Sequence, residues 1–164
     1  MSGRTDVSSV ETVNVLIDPP DGQKKPGRVF LERGVFLLAP TRHGPLARTL
    51  GAWANGLFAH LPEEIGLYDP FAVTREEARA DPGTVRVRYG DVEAMAPVVR
   101  PTGFSLHLRV ARREDAVRLE FRSNEERREL VTLARAIRDR AREAGRDVGR
   151  FDPGGRTRPV SLAE

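Results

Sequence analysis

The sequence predicts an α+β domain: an antiparallel β-sheet or partly open barrel with a C-terminal amphipathic helix and an inserted helical segment. Three observations carry the strands and the helix. Val85, Val87 and Tyr89 alternate with polar neighbours, as do Phe104, Leu106, Leu108 and Val110, and then Val117, Leu119 and Phe121. That period of two is what a half-buried strand requires. Two apolar, β-rich runs, Arg28 to Leu31 and Val35 to Leu38, are separated by Glu32-Arg33-Gly34, a spacing that suits a tight hairpin with Gly34 at positive φ. Finally, Ser123 and Glu126 have capping-box spacing ahead of an apolar stripe of Leu130, Leu133, Ala134, Ile137 and Ala141 that Gly145 closes.

Taken in order, the first dozen residues are rich in Ser, Thr and Gly and bury too little apolar surface to offset their ordering entropy. Residues 1–12 are therefore expected to form a disordered tail, and residues 145–164 another, around a domain of 13–144. Val13 to Ile17 reads as a strand stopped by Asp18-Pro19-Pro20-Asp21-Gly22, because proline lacks the ladder donor and Asp-Gly favours a turn. A loop with Lys24 and Lys25 leads into the hairpin. From Pro45 the period changes: Leu46, Leu50, Trp53, Leu57 and Leu61 recur at helical spacing. Gly51 and Gly56 each cost such a helix about 1 kcal/mol, so docking of the stripe must stabilise it. Thr74 and Glu77 open a second, short helix that ends before Asp81-Pro82-Gly83. The helical insertion thus spans about 42–80. Residues 111–115 then join the last two alternating runs as neighbouring strands of a meander.

Composition narrows the function classes. The chain has 164 residues, 39% of them hydrophobic and 31% charged, which suits one domain with tails. It has no cysteine, which excludes disulfides, thiolate metal sites and thiol nucleophiles and makes a reducing compartment the default. The longest run without Asp, Glu, Lys or Arg, Thr49 to Pro62, falls short of the ~20 apolar residues of a membrane span. The opening residues lack the charged start and apolar block of a secretory signal. A cytoplasmic protein is expected, with the inner face of the membrane as a second location. Lys plus Arg number 27 against 24 Asp plus Glu, a net charge of only +3, and no segment is a polybasic block. Only Lys24 and Lys25 are lysines, so the arginine excess looks like coding bias rather than a partner signal. Nucleic acid is not expected as a partner.

Three local features resemble a known superfold. They are the hairpin Gly27 to Leu38, the phrase Val85-Arg86-Val87-Arg88-Tyr89-Gly90-Asp91-Val92-Glu93-Ala94-Met95, and the strand-to-helix run Val117 to Glu126. In this order they resemble the pleckstrin-homology-like superfold, in particular bacterial PH-like and GRAM-like domains, over roughly residues 13–144. The resemblance implies a non-catalytic binding or scaffolding module that displays loops to lipid headgroups, peptides or proteins. The insertion at 42–80 departs from simpler members and is the first place to look for function. A superfold does not choose its own ligand.

Lys24, Lys25, Arg28 and Arg33 lie in and beyond the loop where lipid-binding PH domains carry basic residues, and could neutralise an anionic headgroup. The bland alternative is a solvated loop. Leu46, Leu50, Trp53, Leu57 and Phe58 could form a protein or self-association surface, or lie in a membrane interface, or simply pack on their own sheet. Arg48 is nearly alone on the polar side of that stripe, which favours protein over lipid. His43, His60 and His107 are scattered, and His60 with Glu63 and Glu64 lacks metalloprotease spacing. No phosphate-cradling glycine order or nucleophile elbow occurs. No enzyme activity, metal or cofactor is expected. On the last helix, Arg127, Arg128, Arg135, Arg138 and Arg142 alternate with acids at three-to-four spacing, which reads as a solvated face. The leading expectation is a module for a protein partner or for itself; the alternative is a peripheral membrane module using the 21–33 loop and the 46–61 helix.

Overall fold

A computed structural model of the chain describes residues 12–18, 24–41 and 73–163. Alternation dominates them. Val13 and Val15 are buried while Thr12 and Asn14 are exposed, which makes β1, Thr12–Asp18, a strand with one face inward. It pairs antiparallel with β2, Lys25–Leu31, which pairs with β3, Val35–Pro40, which pairs with β4, Val85–Arg88. The turn between β2 and β3 places Gly34 at φ 81°, as its spacing demands, and Glu32 N–H donates to the Val35 carbonyl at 2.9 Å.

Tyr89–Asp91 forms a 3-10 turn that ends β4 and starts β5, Val92–Arg100. The alternation in the sequence stops at Tyr89, so no strand is expected over 92–100. The reason is that β5 is apolar on both faces, so Ala94-Met95-Ala96-Pro97-Val98 shows no alternation to detect. β6, Gly103–Val110, and β7, Val117–Phe121, complete a second antiparallel meander, and β7 pairs with β1. The strand order is β4-β3-β2-β1-β7-β6-β5-β8, where β8 is Gly149–Arg150, with β9, Arg158–Pro159, also on β5, so the protein is α+β with a large, mostly antiparallel sheet that does not close.

Two helices are present among the described residues. α1, Arg75–Ala80, has the full capping box: Thr74 Oγ1 accepts from Glu77 N–H and the Glu77 carboxylate accepts from Thr74 N–H at 2.7 Å. That bond holds the Glu77 carboxyl below its usual range. Ala78 then joins Phe30, Leu37, Ala39 and Val73 in a small apolar cluster with β2 and β3. α2, Asn124–Glu143, buries Leu130, Leu133, Ala134, Ile137 and Ala141, the stripe read from the sequence, in the main core against β5, β6 and β7. Only half of its expected capping box forms. Ser123 Oγ accepts from Glu126 N–H, whereas the Glu126 carboxylate reaches back to Arg122 N–H, one residue further than the motif requires. Ser123→Ala is expected to cost about 1 kcal/mol in urea denaturation, and Ser123→Asp to retain most of the stability. At the far end Gly145, at φ 81°, donates to the Arg142 carbonyl and Arg146 donates to that of Ala141, a paired closure that satisfies the last carbonyls.

The residues beyond α2 correct the expectation of a loose tail. β8, Gly149–Arg150, runs parallel to β5, and β9, Arg158–Pro159, runs antiparallel to it. Val160 and Leu162 are buried, and Leu162 belongs to the main core. Two apolar residues two apart were too weak a signal amid Gly, Pro and Arg; their burial depends on an edge strand the sequence reading had not found. Residues 1–11 lie outside the described residues, and Thr12 already belongs to β1.

Candidate functional site

The residues singled out from the sequence fall into three places. Leu46, Leu50, Trp53, Leu57 and Phe58, with most of the 42–80 insertion, lie outside the described residues. The two ends of that segment are fixed, however. Thr41 N–H donates to the Pro26 carbonyl at 2.8 Å, and the Val73 carbonyl accepts from Arg28 Nη1 at 3.1 Å. Thr41 and Val73 thus both bond to β2, and α1 packs on the β2–β3 face.

The four basic residues do not converge. Lys24 pairs with Glu120 at 2.7 Å, and Lys25 sits half-buried in β2 opposite Ile17. Arg28 Nε donates to Asn14 Oδ1 at 2.9 Å while the same guanidinium holds Val73. Arg33 is exposed in the turn at the other end of β2, about 20 Å from Lys24 by strand rise. A phosphate held by all four would need them within one headgroup's reach.

A polar cluster that the sequence reading missed crosses β1, β7, β6 and β5. Register places His107 opposite Arg118 and Ser105 opposite Glu120. Glu120 takes Lys24 at 2.7 Å, Arg100 at 3.3 Å and Arg118 at 4.0 Å, while Arg118 also binds the buried Asp18. Ser105 Oγ lies 3.0 Å from His107 Nε2. The signal for it was the polar half of each alternating run, which is legible only once cross-strand register is known.

Serine and histidine at this distance have the geometry of an activated nucleophile. Ser105 is fully buried, at 0% exposure, so no substrate carbonyl reaches its oxygen. Burial, reinforced by the Arg100 charge and opposed by Glu120, holds the His107 pKa below its ordinary 6.5. The pair therefore acts as a buried hydrogen bond with neutral imidazole. A depressed folded pKa means stability that is complete above pH 6.5 and lost as pH falls through the lowered value. The urea midpoint of the wild type should fall more between pH 7.5 and pH 5 than that of His107→Gln; equal slopes would show that His107 does not carry the effect.

A second arrangement ties the β2–β3 turn to α2. The Arg140 guanidinium donates to Tyr89 Oη at 2.8 Å and to the Glu32 carbonyl at 3.3 Å, and Glu32 pairs with Arg79 at 2.7 Å. Burial, the largest influence, pushes the Tyr89 hydroxyl pKa up, with Arg140 opposing it. This arrangement locks helix to hairpin and leaves no open space at the phenol, which is 1% exposed.

No family model matches the chain. No curated protein matches it in sequence either. No described helix is long and apolar enough to cross a membrane, and among the described residues no group of three or more His, Asp or Glu is placed to hold a metal ion.

The remaining feature is the outer edge of β5. Residues 146–163 fold back along it, and Val160 N–H donates to the Pro97 carbonyl at 2.8 Å. Pro97 thus turns its carbonyl, and the nitrogen that has no hydrogen, toward the edge, where the β6 ladder loses nothing. Arg135 on α2, expected to be solvated, reaches over to donate to the Leu162 carbonyl at 3.2 Å and the Ala163 carbonyl at 2.9 Å.

Proposed function

We propose that this chain is a non-catalytic binding or scaffolding module of the pleckstrin-homology-like type, taking a protein partner or a second copy of itself. The observation that carries the reading is the strand order. Two consecutive antiparallel meanders, β1–β4 and β5–β7, meet through β1 and β7, and α2 packs on the second of them. Antiparallel strands followed by one packed amphipathic helix are what the sequence resemblance implies, and in that coarse sense they support the reading. Such a scaffold acts by presenting edges, loops and insertions rather than by reacting.

Protein is favoured over anionic lipid because Lys24 and Arg28 are engaged with Glu120, Asn14 and Val73, and Arg33 sits at the opposite end of the strand. Surface recruitment by charge needs several cations on one side, each contributing ~1 kcal/mol. The enclosed Ser105 weighs against hydrolysis at the one described serine-histidine pair.

The test compares the light-scattering mass of the wild type with that of Trp53→Glu, and measures co-sedimentation of both with anionic liposomes at low and high salt. The expected result is no liposome binding, with self-association of the wild type lost in the variant or a monomer that captures a protein partner. A wild-type monomer that sediments with anionic liposomes only at low salt overturns the reading in favour of a peripheral membrane module.

A further inference from the structure

Apolar edge strands do not persist uncovered, because their free N–H and C=O groups template pairing with another chain. β5 is such a strand: from Ala94 to Val98 every residue is buried and none is charged. Its cover is local and slight. β8 and β9 are two residues each, all four residues are exposed, and Gly154 and Gly155, both at positive φ, lie in the stretch between them. What holds the end of the segment is the run after β9, in which Val160 and Leu162 are buried while Ser161 and Ala163, alternating with them, are exposed. Its main chain bonds to Pro97 on one side and to Arg135 on the other. Main-chain pairing to a sheet edge, with alternate side chains in the interior, is how an edge receives an extended peptide.

We propose that the β5 edge and α2 form a binding groove for an extended peptide of the pattern apolar-x-apolar, and that residues 158–163 close this groove in cis until such a peptide displaces them. The inference rests on the reading of the chain as a protein-binding module and names its site and its partner's chemistry. Leu162, unlike Val160, packs in the main core, so the second apolar residue of the partner is the selective one. Arg135 binds carbonyls rather than a side chain, so it accepts any sequence in extended form. A segment tethered by a short exposed linker acts at an effective concentration on the order of millimolar, which keeps the groove closed to weak competitors.

The test uses the full chain carrying Val160→Asp and Leu162→Asp together, with folding checked by circular dichroism. The probe is a fluorescein-labelled synthetic peptide of residues 156–163, with the same peptide carrying Leu162→Asp as control. The expected result is saturable anisotropy with the double variant, binding to the wild type weaker by about tenfold or more, and none by the control peptide. A folded double variant that does not bind the peptide overturns the groove, and the light-scattering and liposome measurement then decides the module reading separately. Where the double variant does not fold, hydrogen exchange on the wild type decides. The Val160 amide should exchange through a local opening well below the protection of Leu106, Leu108 and Leu119. Equal protection would make residues 158–163 part of the cooperative core and overturn the proposal.

Discussion

Gly103→Ala should destabilise the protein by on the order of 3 kcal/mol, from backbone strain and overpacking together. Gly103 follows the two-residue turn from β5 into β6 at φ 139°, a conformation that side-chain-bearing residues rarely adopt. A Cβ there would also lie 2.5 Å from the Phe121 carbonyl oxygen and 3.3 Å from Arg122 Cα. Both neighbours are backbone, so β7 must move or the turn must open. For a domain whose total stability is about 5–15 kcal/mol, this is a large fraction. The comparison is Gly34→Ala. Gly34 also has positive φ, at 81°, but nothing lies within 4 Å of its Cβ position. Only the conformational cost of roughly 1–2 kcal/mol applies there. Urea midpoints for both variants check the ordering; equal losses would show that the contact with Phe121 does not matter.

Leu133→Ala should cost about 2–5 kcal/mol, the transfer of the lost methyl groups plus the cavity they leave. Leu133 is wholly buried midway along α2, one turn before Ile137 and one after Leu130 and within the same core. The surrounding strands are hydrogen-bonded on both sides, which limits how far they can collapse into the space. Val131 lies only partly buried at the edge of that core, so Val131→Ala should lose much less. Denaturant titration followed by circular dichroism reads both. A loss below 1 kcal/mol for Leu133→Ala would mean that α2 rests on the sheet without being packed into it. Because α2 also carries Arg135 and Arg140, the variant should loosen the segment at Leu162 and the lock on Tyr89 as well.

The candidate sites were less legible than the core, for a physical reason. Lys24 and Arg33 are near neighbours in the sequence, yet β2 carries them to opposite ends. Asp18 and Arg118 are far apart in sequence and meet because β1 pairs with β7. Glu120, which gathers three cations, looked like one more polar residue on an alternating strand. Charge proximity along a chain is therefore a poor guide where the backbone is extended, since each residue moves the next about 3.3 Å further on.

Periodicity and local turn chemistry by themselves determined the hairpin with Gly34 at positive φ, the alternating strands ending in β4, β6 and β7, the Thr74 box, and the buried stripe of α2. Each of these depends on interactions within a few residues, which the order of side chains encodes directly. β5 escaped because a strand buried on both faces has no alternation. The docking of Val160 and Leu162 escaped because two apolar side chains gain enough only when a strand edge and a helix arginine are already in place. Sheet order, the cluster around Glu120 and the enclosure of Ser105 were likewise decided by tertiary structure alone, because strand pairing brings together residues whose separation along the chain carries no local signal.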